Sequence, residues 1–453
     1  MDLNALLYRN KNLNPTRLIV LGFGAVILLG TLLLHLPIAA QNGSWTPWLT
    51  CLFTATSATC VTGLVQVDTV LHWSGFGQLV ILLLLQLGGL GFVTLLALIS
   101  FATGQRIGLA QRVVIASALN LPSTSGVVRV VHHALRGTFL LEGLGALILS
   151  TRFIPLFGAG KGLWFSIFHS VSAFCNGGFD LMGAYSGPYS SLAAFQDDPV
   201  VLVTIMALIV LGGLGFFVWN EVLSKRSWKD FSLYTKLVLG ITAGLILGGT
   251  LLVLWIEWDN PATLGNMPVW EKILNALFQS VTLRTAGYAA IDQGAIRDST
   301  AMLSAILMLI GGSSGSTAGG LKTVTVGVLL VTVWSSLRGR EDVVLRGRTI
   351  PARKVLDAVT LTMTVGVLFC FGSMFLALSD GLPIMVAVYE VASALGTVGL
   401  SMGATPALGT VGSLMIILFM FLGRVGILSF AIAFMTRRGE SKLRYPTAEM
   451  MIG

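Results

Sequence analysis

Charged side chains are scarce in this chain: 11% of its 453 residues are Asp, Glu, Lys or Arg, where soluble globular domains carry roughly a quarter. That shortage excludes a soluble globule. With 55% apolar residues and a mean hydropathy of +0.85, the sequence belongs in a bilayer. Cysteine is also sparse. Cys51, Cys60, Cys175 and Cys370 lie in apolar sequence without C-x-x-C or metal-like spacing and read as packing residues. His35, His72, His132, His133 and His169 are scattered, without the i, i+4 pairing of a metal site. H-E-x-x-H is missing, so neither catalysis nor a bound cofactor is expected. No charged leader with a short apolar core and cleavage site opens the chain, so its first apolar run is expected to stay as a membrane span. The net charge of +8 raises the question of nucleic acid, but the basic residues are confined to certain linkers, which argues against it.

What the chain does contain is one short pattern four times over. Cys60-Val61-Thr62-Gly63, Cys175-Asn176-Gly177-Gly178, Arg284-Thr285-Ala286-Gly287 and Gly396-Thr397-Val398-Gly399 each end in glycine, at spacings of 115, 109 and 112 residues. A quarter of the chain is about 113 residues, so a single unit is repeated through its whole length. Each quarter reads as a long apolar run, a shorter amphipathic run ending at the glycine motif, and a second long run. The first runs fall near 18–38, 130–151, 236–257 and 354–379, and the second near 76–101, 200–223, 299–336 and 409–436. At about 20 residues per crossing they predict eight spanning helices. The short stretches at 46–58, 162–173, 268–282 and 383–394 are too brief to cross and are expected to enter and turn back, which backbone at membrane depth does only where protein or a water-filled cavity receives it. The expected fold is therefore all-α integral membrane: four tandem helix/pore-helix/helix units around one central pore. Its divisions are a tail at 1–17, pore units at 18–103, 104–223 (with a leading cytoplasmic linker), 224–336 and 337–436, and a second tail at 437–453.

Basic residues set the orientation. Apart from Arg152, Lys161, Lys272 and Arg297, and from Arg284, Lys322 and Arg424 within the membrane, every Lys and Arg falls in the tails or in the linkers Arg106–Arg136, Lys225–Lys236 and Arg338–Lys354. Both termini are expected in the cytoplasm, with the protein in the cell (inner) membrane. The opposite face carries Asp68, Asp180, Asp197, Asp198, Glu257, Asp259, Glu271, Asp292, Asp298 and Asp380. These either enrich cations at a pore mouth or are simply solvated loop residues.

A dehydrated cation needs its water oxygens replaced, and a ring of backbone carbonyls does this without formal charge. Glycine adopts positive φ and lets backbones approach closely. Half-helices running toward their loops would also aim negative dipole ends at the ion. The glycines at 88, 89 and 91 and at 212, 213 and 215 read instead as helix-packing residues. At these motifs the chain resembles the Trk/Ktr/HKT superfamily of potassium transporters: TCVTGL, SAFCNGGFD, TLRTAGY and SALGTVGL look like its four selectivity-filter segments. The likeness runs over nearly the whole length. The short N-terminal tail and the ending LRYPTAEMMIG look like the Ktr membrane subunit. It implies potassium held by filter carbonyls. In the family, glycine at all four filter positions goes with potassium selectivity, whereas serine in the first unit accompanies sodium transport in some plant members; Gly63 therefore points to potassium. It further implies a homodimer on a cytosolic ring of nucleotide-binding regulatory subunits, membrane lipid as surroundings, and sodium as a coupling or activating ion, which the residues themselves do not demonstrate. Arg284 departs from the pattern and predicts an only approximately symmetric filter.

The run 299–336 would extend about 57 Å as one helix, nearly twice the hydrocarbon thickness of about 30 Å. Gly311, Gly312, Ser313, Ser314, Gly315, Ser316, Thr317, Ala318, Gly319 and Gly320 interrupt it. A phosphate-binding loop is the competing reading, but Leu321 stands between the glycines and Lys322 and no strand precedes them. By resemblance, 311–320 is an intramembrane gate loop, with Lys322 capping the lower half-helix or reaching the cytoplasmic interface. Arg424 lies about 18 Å from either end of its apolar run, too deep to snorkel, so it must meet water or a partner: an ion pair, or, as the family arginine implies, the gate loop. Arg284 and Glu390 are expected to pair behind the filter. Asn176 either offers an oxygen near the ion or holds its loop. Three rivals remain: a sodium-conducting relative; an organic-solute transporter, disfavoured because the repeats share one orientation; and an intramembrane enzyme, disfavoured for want of a nucleophile.

Overall fold

A computed structural model describes residues 15–91, 127–225 and 227–426. The first 14 residues, residues 92–126 and the chain beyond 426 lie outside the described residues, and with them the far ends of the expected spans 76–101 and 409–436 and the tail 437–453. Within the described residues one motif recurs four times. The first unit holds α1 (Pro15–His35), α2 (Trp48–Thr59), the one-turn α3 (Thr69–His72) and α4 (Gly75–Leu90). The second holds α5 (Val127–Phe157), α6 (Ala159–Phe174), the one-turn α7 (Gly183–Ser186), α8 (Pro199–Leu214) and α9 (Phe216–Ser224). The third holds α10 (Leu233–Glu257), α11 (Val269–Thr282), α12 (Asp298–Leu309) and α13 (Thr323–Leu337). A small hairpin, β1 (Val344–Leu345) and β2 (Arg348–Thr349), leads to the fourth unit of α14 (Ala352–Asp380), α15 (Ile384–Gly396) and α16 (Thr410–Val425).

Local sequence accounts for these bounds. Pro47, Pro268 and Pro383 stand at the N-cap positions of α2, α11 and α15. There a fixed φ and a missing N–H end the preceding backbone course and start a new helix. These three helices and α6 run 12 to 16 residues, about 18–24 Å at 1.5 Å per residue, short of a crossing. Side-chain caps start others: Asp198 accepts from Val200 and Val201 N–H, and Ser232 from Thr235 N–H. Among the described residues four helices are long and apolar enough to cross a membrane, Arg17–His35, Val131–Phe157, Leu233–Glu257 and Ala352–Asp380.

The second helix of every unit is broken or stops; the sequence indicates this for the run 299–336 and not for the other three. The expected span 200–223 bends by 96° at Gly215 between α8 and α9. The run 299–336 is split between α12 and α13. In the first and fourth units the helices end at Leu90 and Val425, ahead of Gly91 and Gly426.

Packing closes the units into a ring. Each long first helix lies on the short helix of its own unit. Each second helix lies on the short helix of the next: α4 on α6, α8 on α11, α12 on α15, and α16 back on α2. The C-terminal halves of the short helices are thereby buried, as the fully buried Phe53, Phe168, Phe278 and Tyr389 illustrate.

Candidate functional site

The four glycine motifs lie at the C-terminal ends of α2, α6, α11 and α15, so four negative helix ends converge on them. Their backbones share one conformation. The second residue of each motif has positive φ although none is glycine: Val61 at 55°, Asn176 at 61°, Thr285 at 65° and Thr397 at 52°. The terminal glycines follow at 97°, 66°, 83° and 99° for Gly63, Gly178, Gly287 and Gly399. Left-handed backbone costs an L-residue about 1–2 kcal/mol, most for a β-branched one, so only a rigid surround sustains it four times.

The glycines also record the closeness of the loops. A methyl group added at Gly63 would lie 2.6 Å from the Gly177 carbonyl oxygen, at Gly178 2.8 Å from that of Ala286, and at Gly287 2.5 Å from that of Val398. At Gly399 it would run into the Thr62 carbonyl. The order is cyclic, each loop's glycine against the carbonyl of the loop that follows. The segments from the sequence thus form one closed ring of backbone oxygens: Thr62, Gly177, Ala286 and Val398.

Serines hold two of the loops in shape, a feature the sequence reading missed. Ser57 Oγ accepts from Gly63 N–H at 3.0 Å, and Ser393 Oγ from Gly399 N–H at 2.9 Å. Ser172 stands at the same position of the second loop and donates to the Phe179 carbonyl at 2.8 Å. The signal was a serine six residues before the glycine in three units. The third loop is the exception: Thr282 donates to the Tyr288 carbonyl, and the turn closes one residue tighter.

Arg284 and Glu390 do not pair. Arg284 Nη2 donates to the Gly311 carbonyl at 3.3 Å, while the Glu390 carboxylate accepts from Ser401 and Thr405 hydroxyls. Among the described residues the ion pairs are Arg152–Asp198, Lys225–Glu221 and Lys354–Asp357, none of them in the ring. The Asn176 side-chain amide is wedged among the Arg284 carbonyl, Thr285 Oγ1 and Thr317 Oγ1, each 3.4 Å away.

Residues 311–320 lie against the second and fourth loops. Thr317 Oγ1 donates to the Phe174 carbonyl at 3.1 Å, and Gly319 sits so close to Thr397 that a Cβ would collide with its side chain. The ends of the segment are tied by Gly311 N–H to Leu321 and by Leu321 N–H to Leu309. Lys322 stands at the N-cap of α13 without a side-chain cap bond; its ammonium instead donates to the Ala318 and Gly319 carbonyls at 2.8 and 3.4 Å, closing the segment on itself. Among the described residues Arg424 has no carboxylate partner either. Its guanidinium donates to the Thr317 carbonyl of the segment and to the Gly88 and Gly89 carbonyls at the end of α4.

The glycines read as packing residues belong to a second repeat. Gly88-Gly89-Leu90-Gly91, Gly212-Gly213-Leu214-Gly215 and Gly423-Arg424-Val425-Gly426 occupy the same place in three units. The first residue of each is pressed against the carbonyl of Thr59, Phe174 or Leu395 at the end of its own short helix. The last has φ of 81°, 89° or 88° and breaks the helix. On the acidic face, Asp68, Asp198 and Asp380 accept backbone N–H groups, and buried Glu257 takes donors from Asn260, Thr263, Arg297 and Thr300.

The chain is similar to known proteins over nearly its whole length. The profile of the family described as "TrkH: Cation transport protein" matches residues 15–443. The potassium/sodium uptake protein NtpJ of Enterococcus hirae is 42% identical, with 98% of each chain covered. The Ktr system potassium uptake protein B of Bacillus subtilis is 40% identical, with 97% of each covered. Among solved structures, the potassium transporter TrkH from Vibrio parahaemolyticus superposes with a TM-score of 0.69 at 19% identity, covering 91% of this chain and 84% of that one.

Proposed function

This chain belongs to the TrkH cation transport protein family, and from that premise we propose that it takes up potassium through the ring of Thr62, Gly177, Ala286 and Val398 carbonyls, acting as a selectivity filter. The observation that carries this reading is the cyclic contact of four glycines with four neighbouring carbonyls. Carbonyl dipoles and four helix C-termini stabilise a cation there without a fixed negative charge that would trap it. The driving force is the membrane potential, about 2.3 kcal/mol per charge per 100 mV, together with the ion gradient.

In this reading 311–320 is the gate. It lies against the filter loops, and Arg424 adds a positive charge that both holds the segment and raises the barrier to a passing cation. Cytoplasmic termini, a homodimer and a nucleotide-binding cytosolic ring docked on the basic linkers complete the proposal, in keeping with the Ktr relatives. The name of the E. hirae relative, which includes sodium, makes sodium the ion to test for coupling. The test is growth of a potassium-uptake-deficient bacterium at low external potassium. The wild-type chain should restore growth and Gly63→Ser should admit sodium; a well-expressed wild type that gives no rescue would refute potassium uptake.

A further inference from the structure

The gate segment is gripped from below by a bracket that the transport reading does not use. At Gly215 the chain turns through 96°, and the first residue of α9, Phe216, donates its N–H to the Gly315 carbonyl at 3.0 Å. One residue earlier in the segment, the Ser314 carbonyl accepts the Tyr234 hydroxyl at 3.3 Å, from the first turn of α10. The Phe217 and Tyr234 rings meet edge to face, their centroids 5.5 Å apart, so these two grips are one body. Higher up, Ser313 and Thr317 N–H groups bond to the Gly213 and Gly212 carbonyls.

Glu221 fixes the bracket. Its carboxylate is buried at 6% exposure and joins the end of α9 to the start of α10. It accepts from Lys225 Nζ at 2.8 Å, Ser232 N–H at 2.8 Å, Ser232 Oγ at 2.6 Å and Thr235 Oγ1. Thr235 directly follows Tyr234. The register of that clasp therefore decides where the tyrosine hydroxyl stands.

We propose that Tyr234 and Glu221 are positioning residues of the gate: the clasp presents the tyrosine hydroxyl to Ser314 and holds the segment in its position against the filter loops. The intervening turn carries exposed Trp228, Lys225 and Lys229, so whatever displaces this turn moves the tyrosine and with it the segment. The inference rests on the gate reading of 311–320. In the gate reading these bonds hold the segment against the filter loops, so removing them shifts the population toward arrangements in which it has left them. Loss of one hydrogen bond of ordinary net strength corresponds to roughly a three- to tenfold shift.

Potassium flux from liposomes reconstituted with the full chain tests this, with thermal melting as a check on folding. Four chains are compared: wild type, Tyr234→Phe, a deletion of 313–318, and the two changes combined. Tyr234→Phe is expected to raise flux about three- to tenfold in the intact chain and to add nothing to the deletion. Ser232→Ala, which weakens the clasp while leaving the tyrosine in place, is expected to raise flux by less. If the deletion raises flux while Tyr234→Phe leaves it unchanged or lowers it, the positioning role is wrong and the gate stands. If the deletion itself leaves flux unchanged, the gate reading falls and this inference with it.

Discussion

Arg424 and Gly89 occupy the same position in their repeats, and the arginine of the fourth unit donates to the glycine carbonyl of the first at 3.2 Å. Where the other units have a hydrogen, the fourth projects a guanidinium that spans a broken helix end and the Thr317 carbonyl. It is at once the cap of α4 and a strut of the segment 311–320, the proposed gate.

Arg424→Ala should therefore change two observables together. Hydrogen bonds to a charged group contribute about 1.5–3 kcal/mol each, so melting temperature should fall while potassium flux rises. Arg424→Lys should not restore both, because a single ammonium cannot reproduce the planar fork that reaches both sides. Full rescue by lysine in both assays would show that charge alone matters.

At the filter, Gly287→Ala should abolish uptake. The added methyl would lie 2.5 Å from the Val398 carbonyl on a backbone at φ 83°, combining overpacking of roughly 1–3 kcal/mol with about 1–2 kcal/mol of left-handed strain. Gly24→Ala, in α1 with nothing within 4 Å of the new atom, should transport as the wild type does. Equal uptake by the two variants would contradict the ring.

Ser57→Ala and Ser393→Ala each leave a filter N–H without its acceptor, at a cost of about 1–3 kcal/mol. Both should lower melting temperature and relax potassium-over-sodium discrimination in single-cation flux assays. A threonine at either site keeps the hydroxyl and should behave closer to wild type. Unaltered discrimination in a correctly folded Ser57→Ala would remove this bracing role.

How far sequence could lead is clearest at the glycines. The four recurring motifs were legible as a repeat because close backbone approach requires glycine once per unit, and the period supplied the register. The helix breaks of the other three units were not: Gly88 and Gly89 pack against the Thr59 carbonyl and Cys175 as packing glycines do, and only the φ of 81° at Gly91 marks the end of that helix. Arg424 was legible as a buried charge but not as the counterpart of Gly89, since a charge-free repeat gave no alignment across that position. The expected Arg284–Glu390 pair failed because hydroxyls and backbone groups satisfy buried charges as well as opposite charges do, and sequence does not reveal which lie within reach.

Asp180 offers a pH test. It lies two residues beyond Gly178, outside the long helices, and burial together with nearby Asp68 raises its carboxyl to about 7, against a bond from Met182 N–H that favours the charged form. It is thus protonated at mildly acid pH and ionises as pH passes through about 7, adding negative charge beside the ring. Initial potassium uptake below saturation should rise between about pH 6 and pH 8, and Asp180→Asn should flatten that rise. An identical profile in the variant would place this charge outside the ion's path.

The most direct measurement is an anomalous-scattering map of crystals grown with rubidium in place of potassium. The account predicts a peak enclosed by the Thr62, Gly177, Ala286 and Val398 carbonyl oxygens, lost when sodium replaces rubidium. A transport-competent protein whose map is featureless between those four oxygens, with its rubidium bound elsewhere in the membrane, would contradict it.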